Sequence, residues 1–98
     1  MKKTFAARHF ECSQDLKEYS LDSVDKLTKI FDRIVGVDII LQPSQDVAKP
    51  QQAEMLVQVP GDLLRTEVKA ETYENAVHEC IQILSRQIRK YKTKHFEH

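Results

Sequence analysis

Two stretches of alternating residues joined by a tight turn constrain the fold of this chain more than any other feature. Met55, Val57 and Val59 alternate with mostly polar neighbours, which is typical of a strand with one buried face. The turn Pro60-Gly61-Asp62 follows, and the stretch LLRTEVKAE after it is predicted to be the partner strand. The apolar face of such a hairpin has to pack against another layer of secondary structure.

Two amphipathic helices are predicted to form that layer. The first begins after Ser13, a good N-cap, and is expected to end at Val35-Gly36. Its apolar positions are Leu16, Tyr19, Leu27, Ile30, Phe31 and Ile34. The last helix begins after Thr72, and its apolar stripe consists of Val77, Cys80, Ile81, Leu84, Ile88 and Tyr91.

Two further strands complete the predicted fold. Residues 3–8 form the first strand, VDIIL forms a buried strand after the first helix, and PSQDVAKPQQ is a loop. This order predicts an α+β fold, a β-α-β-β-β-α two-layer sandwich with a four-stranded sheet and two helices packed on one face. We expect a single domain over residues 1–98, with the other sheet face meeting solvent or a partner.

Composition indicates the environment of the chain. The 98 residues include 15 basic and 15 acidic side chains, so the net charge does not by itself predict a polyanionic partner. The N-terminus has no apolar segment typical of a signal peptide, and no apolar run is long enough to span a membrane. Cys12 and Cys80 are expected to be free thiols, and we expect a cytoplasmic protein.

No set of residues predicts an enzyme. Candidate metal ligands come in two pairs, His9 with Cys12 and His95 with His98. Structural zinc needs four ligands in closely spaced pairs, and nothing supplies a second pair beside either of these, so no metal site is predicted. His78 and Cys80 do not face each other on a helix, and His78 is expected to be an exposed helix residue. With no glycine-rich phosphate loop either, we predict no cofactor and no catalytic residue.

The end of the last helix carries an excess of positive charge. Its cations are Arg86, Arg89, Lys90, Lys92 and Lys94. The helix dipole accounts for one or two of them, but like charges about one turn apart repel each other. A phosphate backbone would offset that repulsion, so the segment favours a nucleic-acid contact.

The first helix carries a second group of cations, Lys26, Lys29 and Arg33, on one predicted helical face. Considered alone they favour a solvated surface with local ion pairs, because Asp22, Asp25 and Asp32 lie close by in sequence. Two helices side by side on one sheet could instead bring both groups together, and Arg8 could join them from the end of the first strand.

Three stretches of the chain resemble a known family. KLTKIFDRI (26–34) and SRQIRKYKTK (85–94) are similar to the helix endings of the ribosome hibernation promoting factors, and TFAARHFECSQDL is a looser match to their opening. That family includes ribosome-associated inhibitor A and was once called sigma-54 modulation protein. The resemblance covers essentially the whole chain.

The resemblance implies a translation inhibitor that blocks the messenger and transfer RNA channel of the small ribosomal subunit under stress or in stationary phase. Its implied partners are the small subunit and the 70S ribosome, through 16S ribosomal RNA, with no membrane and no small-molecule substrate. The resemblance assigns the RNA contacts to the residues that match the family's basic positions, which are Arg8, Lys26, Arg33, Arg86, Lys90, Lys92 and Lys94. Lys29 joins through the helical-face argument, and Arg89 joins as part of the terminal charge run.

The chain departs from the family pattern at two positions. Ala7 stands where the family usually has Gly, and His78 stands where it has an acidic residue. Long members carry a C-terminal dimerisation domain, so this chain resembles the short type and is expected to be monomeric. The alternative function is a protein-interaction module that modulates a transcription (sigma) factor, as the older family name suggests.

Overall fold

A computed structural model describes residues 1–96 of the chain. Its elements are β1 (Lys2–Ala7), α1 (Gln14–Ser23), α2 (Asp25–Thr28), β2 (Gly36–Pro43), β3 (Gln51–Val59), β4 (Asp62–Ala70) and α3 (Tyr73–His95). The four strands form one sheet in the order β1-β2-β3-β4, with the helices on one face. The predicted α+β two-layer sandwich is confirmed.

The sheet is mixed in direction. β1 pairs in parallel with β2, since the chain crosses over the sheet through α1 and α2 between them. β2, β3 and β4 pair antiparallel in sequence order. The predicted hairpin joins β3 to β4, and Gly61 in its turn has φ of 79°, a left-handed conformation that glycine adopts without steric cost.

The core lies between the sheet and α3. Alternate residues of β2 and β3 point toward the helices and are buried: Val37, Ile39, Leu41, Ala53, Met55, Val57 and Val59. The whole predicted stripe of α3, from Val77 to Tyr91, is buried against them. The caps also form as predicted, because Ser13 Oγ accepts from Leu16 N at 3.1 Å and Thr72 Oγ1 accepts from Asn75 N at 3.1 Å.

The first helix is shorter than the sequence pattern predicts, and its predicted end at Val35-Gly36 is wrong. α1 ends at Ser23 and α2 is a single turn that ends at Thr28. The hydroxyls of Ser20 and Ser23 donate to carbonyls four residues earlier, at 2.8 and 2.7 Å, and such bonds bend helices.

Residues 29–35 form an irregular connection, which we name the α2–β2 loop. Phe31 and Ile34 are buried all the same, so apolar side chains continue to reach the core after the helix has ended. Tyr19, predicted on the apolar stripe of the first helix, is 38% exposed. The apolar spacing therefore located the buried residues after Leu27 but not the backbone conformation.

Truncation of the α3 stripe is expected to destabilise the fold. Leu84 is fully buried at 0% exposure, so Leu84→Ala should lower the free energy of unfolding by about 2–5 kcal/mol. Leu63→Ala is the matched control, because Leu63 is 51% exposed and its loss should change stability by less than about 1 kcal/mol. Urea unfolding followed by circular dichroism measures both values, and equal losses would contradict the assigned core.

Candidate RNA-binding surface

A cationic groove runs between α2 and α3, and we name it the seam. Its first part, of 460 Å³, is lined by Lys26, His78, Ile81, Gln82, Ser85, Arg86 and Arg89. Its second part, also of 460 Å³, is lined by Lys29, Ile30, Arg89, Lys92 and Thr93. Arg89 lines both parts, so Lys26 and Lys29 of the first basic group lie along the same groove as Arg86, Arg89 and Lys92 of the second.

Helix geometry explains why these α3 residues share the seam. Residues 78, 82, 85 and 89 follow one another at intervals of four and three, which places them on one face of a helix. α2 packs beside this face and contributes Lys26, and Lys29 follows as its C-cap. Each cation is therefore held by an element whose apolar side is buried in the core.

Lys26 and Lys29 lack, within residues 1–96, the local ion pairs that the sequence suggested. Asp25 pairs with Lys3 of β1 at 3.1 Å instead of with a neighbour on its own helix. Within residues 1–96, no ion pair involves Lys26, Lys29 or the two seam arginines. The local-pairing interpretation is therefore wrong for Lys26 and Lys29, and the charges of these two lysines and of Arg86 and Arg89 remain available to an anion.

Lys92 is tied to the protein itself. Its Nζ donates to the carbonyl oxygen of Ile30 at 3.0 Å, and the side chain is half-buried. This bond joins α3 to the α2–β2 loop across 62 positions of sequence. Lys92 thus lines the seam and also holds the α2–β2 loop against α3.

Arg33 does not share a helical face with Lys26 and Lys29, because the helix ends before it. The guanidinium carbon of Arg33 lies instead 5.4 Å from the centre of the Phe96 ring, a cation–π contact. Arg33 is exposed, and this contact places it beside the C-terminal end of α3. The predicted helical-face argument is wrong for Arg33, although the fold still brings it near α3.

Lys90 and Lys94 lie on the other flank of α3. At about 100° per residue they share a flank with Ile83. Ile83 lines a groove with Glu67 and Lys69 of β4, on the side away from α2. The structure therefore does not bring these two lysines into the seam, and their contact with RNA stays a prediction.

Arg8 is exposed at the opposite end of the helical layer. Two residues further on, Phe10 stacks on Tyr73 at a centroid distance of 4.4 Å, at the first turn of α3. At about 1.5 Å of rise per residue, Tyr73 lies roughly 28 Å from Lys92 along the helix. Arg8 is therefore not joined to the terminal cations, and its role also stays a prediction.

His78 is a seam residue that sequence reasoning did not assign to the site. It is exposed, as predicted, but it lines the seam together with Lys26, Arg86 and Arg89. The signal was present in the sequence, because positions 78, 82, 85 and 89 have helical spacing. Helical spacing was used to group the apolar residues of α3 but was not used to group the polar residues on the opposite face.

Comparison with known proteins gives the family. Residues 4–95 match the family model described as Sigma 54 modulation protein / S30EA ribosomal protein. The chain belongs to this family. This confirms the resemblance noted in the sequence, which covers nearly all of the described residues.

Relatives in this family carry consistent names. A Pseudomonas putida protein named ribosome hibernation promoting factor is 30% identical over 95 residues, covering 96% of this chain and 89% of the relative. A Bacillus subtilis protein named ribosome hibernation promotion factor is 30% identical over 94 residues, covering 96% of this chain and 50% of the relative. This chain thus spans about half the length of the Bacillus protein.

Solved structures share the fold of the family. The N-terminal domain of Thermus thermophilus Protein Y superposes with a TM-score of 0.79 at 21% identity, over 93% of this chain and 99% of that one. A ribosomal subunit interface protein from Coxiella burnetii gives a TM-score of 0.84 at 19% identity, over 95% and 99%. At these identities the likeness supports the two-layer fold.

The two thiols are free, as predicted, and neither is activated as a nucleophile. Burial raises the pKa of Cys80 to about 12, and its Sγ donates to the carbonyl oxygen of Ala53 at 3.6 Å. Burial also raises the pKa of Cys12, partly offset by the charge of Lys17. Because the thiolate is the reactive form, raised pKa values make both thiols less reactive.

The described part of the chain, residues 1–96, also bears on the metal ligands and membrane spans considered from the sequence. No three His, Cys, Asp or Glu side chains of this part of the chain come together in a group that could hold a metal ion. His98, one of the paired histidines noted in the sequence, lies outside the described residues. None of the helices described is both long and apolar enough to cross a membrane.

The difference in burial between the thiols is testable by alkylation. Iodoacetamide at pH 8 should modify native Cys12, which is half-buried, and leave Cys80 unmodified because it is both buried and protonated. Mass spectrometry of the native protein should show one added group, and the Cys12→Ser variant should take up none until urea unfolds it. Native modification of Cys80 would contradict its position under β3.

Proposed function

We propose that this protein is a ribosome hibernation factor that binds the small ribosomal subunit through the seam. In this proposal its cations contact phosphates of 16S ribosomal RNA, and the protein acts in the cytoplasm, where ribosomes are. The observation that carries the proposal is the alignment of Lys26, Lys29, Arg86 and Arg89 along one groove, free of ion pairs within residues 1–96.

The chemistry of the seam suits folded RNA. Double-stranded RNA is recognised mainly by shape and by contacts to phosphates and 2′-hydroxyls, which cations on rigid elements can match. The protein has no net charge, so it lacks a long-range attraction to every polyanion. Affinity then depends on how well the local charges of the seam fit one RNA surface.

Inhibition would follow from occupancy alone. The folded chain measures 44 × 24 × 18 Å along its principal axes. A body of this size in the messenger and transfer RNA channel would exclude both RNAs sterically. The role requires no reacting group, cofactor or metal, so we propose a binding protein and not an enzyme, monomeric in isolation.

The alternative, a module that modulates a sigma factor, is less well supported. Its basis is the older half of the family description, whereas the relatives described above are named for ribosome hibernation. Salt dependence separates the two, because phosphate contacts release counterions and protein contacts do so far less.

The proposal is tested by co-sedimentation with 30S subunits and 70S ribosomes across a salt series, with translation in vitro measured alongside. We expect stoichiometric binding that weakens steeply with salt, together with reduced translation. Four phosphate contacts would give a slope of log K against log salt of about −3 to −4. Absence of binding at low salt would overturn the proposal and direct the search to protein partners.

Charge reversal in the seam should weaken binding selectively. Lys29→Glu with Arg89→Glu removes two proposed phosphate contacts, so affinity for 30S subunits should fall by at least about tenfold and the salt slope by about two. Lys2→Glu with Lys69→Glu is the matched control, because it makes the same change of net charge at exposed residues of β1 and β4. Equal losses from both pairs would show that overall charge, and not the seam, determines binding.

A further inference from the structure

The α2–β2 loop carries two of the predicted RNA contacts on irregular backbone. Lys29 begins the loop and Arg33 lies within it, and both are exposed. An irregular loop would ordinarily let such side chains sample many conformations, and that freedom would be lost on binding. The structure shows what holds this loop in one arrangement.

Three residues at the C-terminal end of α3 hold the loop by four contacts. Lys92 Nζ donates to the Ile30 carbonyl at 3.0 Å. Phe31 packs edge-on against Tyr91, with ring centroids 5.5 Å apart and planes at 70°. Phe96 lies 5.5 Å from the Phe31 ring and also carries the Arg33 guanidinium at 5.4 Å.

We infer that Tyr91 and Lys92 hold the α2–β2 loop, and with it Lys29, in position for RNA, and that Phe96 is the positioning residue for Arg33. The inference rests on the proposed function and deepens it. It adds Phe96, an apolar residue, to the cations that are predicted to contact RNA. It also gives Lys92 a role in holding the loop, besides any contact of its own with phosphate.

The geometry suits the chemistry of arginine. A guanidinium is planar, and an aromatic ring contacts its face while its N–H groups lie in the plane and point outward. Arg33 can therefore keep its contact with Phe96 and still donate two parallel hydrogen bonds to a phosphate. A lysine ammonium is compact and strongly hydrated, so Arg33→Lys should retain the charge but lose both the stacked contact and the fork of donors.

Phe96 offers a test that is separate from folding. Its side chain is 44% exposed, whereas Phe31 and Tyr91 are buried in the core. Phe96 follows α3 as its C-cap, and its N–H donates to the Lys92 carbonyl at 2.7 Å, a backbone bond that substitution of the side chain preserves. Removal of the ring should therefore leave thermal unfolding nearly unchanged while releasing Arg33.

The experiment is a double-mutant cycle in the full chain, measured as affinity for 30S subunits at fixed salt. Phe96→Ala should weaken binding about two- to fivefold, the factor equivalent to an exposed cation–π contact. Arg33→Ala should weaken it by at least as much. The double variant should match Arg33→Ala alone, because Phe96 acts through Arg33. Phe96→Trp should restore binding, since tryptophan offers the best face to a cation.

Each outcome has a defined meaning. Additive effects of Phe96→Ala and Arg33→Ala would overturn the inference, because Phe96 would then act on binding independently of Arg33. Phe96→Ala with wild-type affinity would also overturn it. Val47→Ala, which removes an exposed apolar side chain from the β2–β3 connection, is the matched control and should not change binding. Failure of the wild-type protein to bind at low salt would instead overturn the proposed function, and this inference with it.

Discussion

The packing of α3 on the sheet is the interaction on which the rest of the structure depends. Val77, Cys80, Leu84 and Ile88 lie at 0% exposure against the inward residues of β3 and its neighbours. Burial of this stripe fixes the rotation of the helix about its axis. Once the rotation is fixed, the direction of each polar residue on α3 is fixed as well. The seam is therefore a consequence of core packing, and the cations need no additional element to align them.

Charge is distributed unevenly between the two faces of this neutral protein. On the strands, Arg65 of β4 pairs with Glu54 at 2.5 Å and with Glu67 at 3.4 Å, so its positive charge is neutralised locally. On the first strand, Lys3 forms an ion pair with Asp25 of α2. Of these three paired acids only Asp25 belongs to an element that borders the seam, and its partner is Lys3 of β1. Exposed pairs add little to stability, but they determine where uncompensated charge remains.

The sequence predicted the layers well because both signals, alternation in the strands and the α3 stripe, come from burial. It predicted the seam only in part. The structure brings together four cations as expected: Lys26, Lys29, Arg86 and Arg89. Their alignment, however, depends on how two helices pack against each other, and the periodicity within one helix gives no information about that packing. The break after Ser23 and the roles of Lys92 and Phe96 depend on contacts between residues distant in sequence. A run of like charges does not reveal such contacts. The RNA contacts predicted for Lys90 and Lys94, on the other flank of α3, stay predictions.

The parallel pairing of β1 has a consequence for the order in which the fold can be assembled. Lys2 faces Gly36, so the first strand to leave the ribosome during synthesis has no partner until the crossover and β2 have followed it. The remaining strands pair with neighbours that are adjacent in sequence, and contacts of that kind form quickly. β2, β3 and β4 thus form a meander in which each strand pairs with the next one along the chain. Among the paired strands, β1 and β2 are joined by the longest connection, so docking of β1 closes the longest loop. It completes one edge of the sheet.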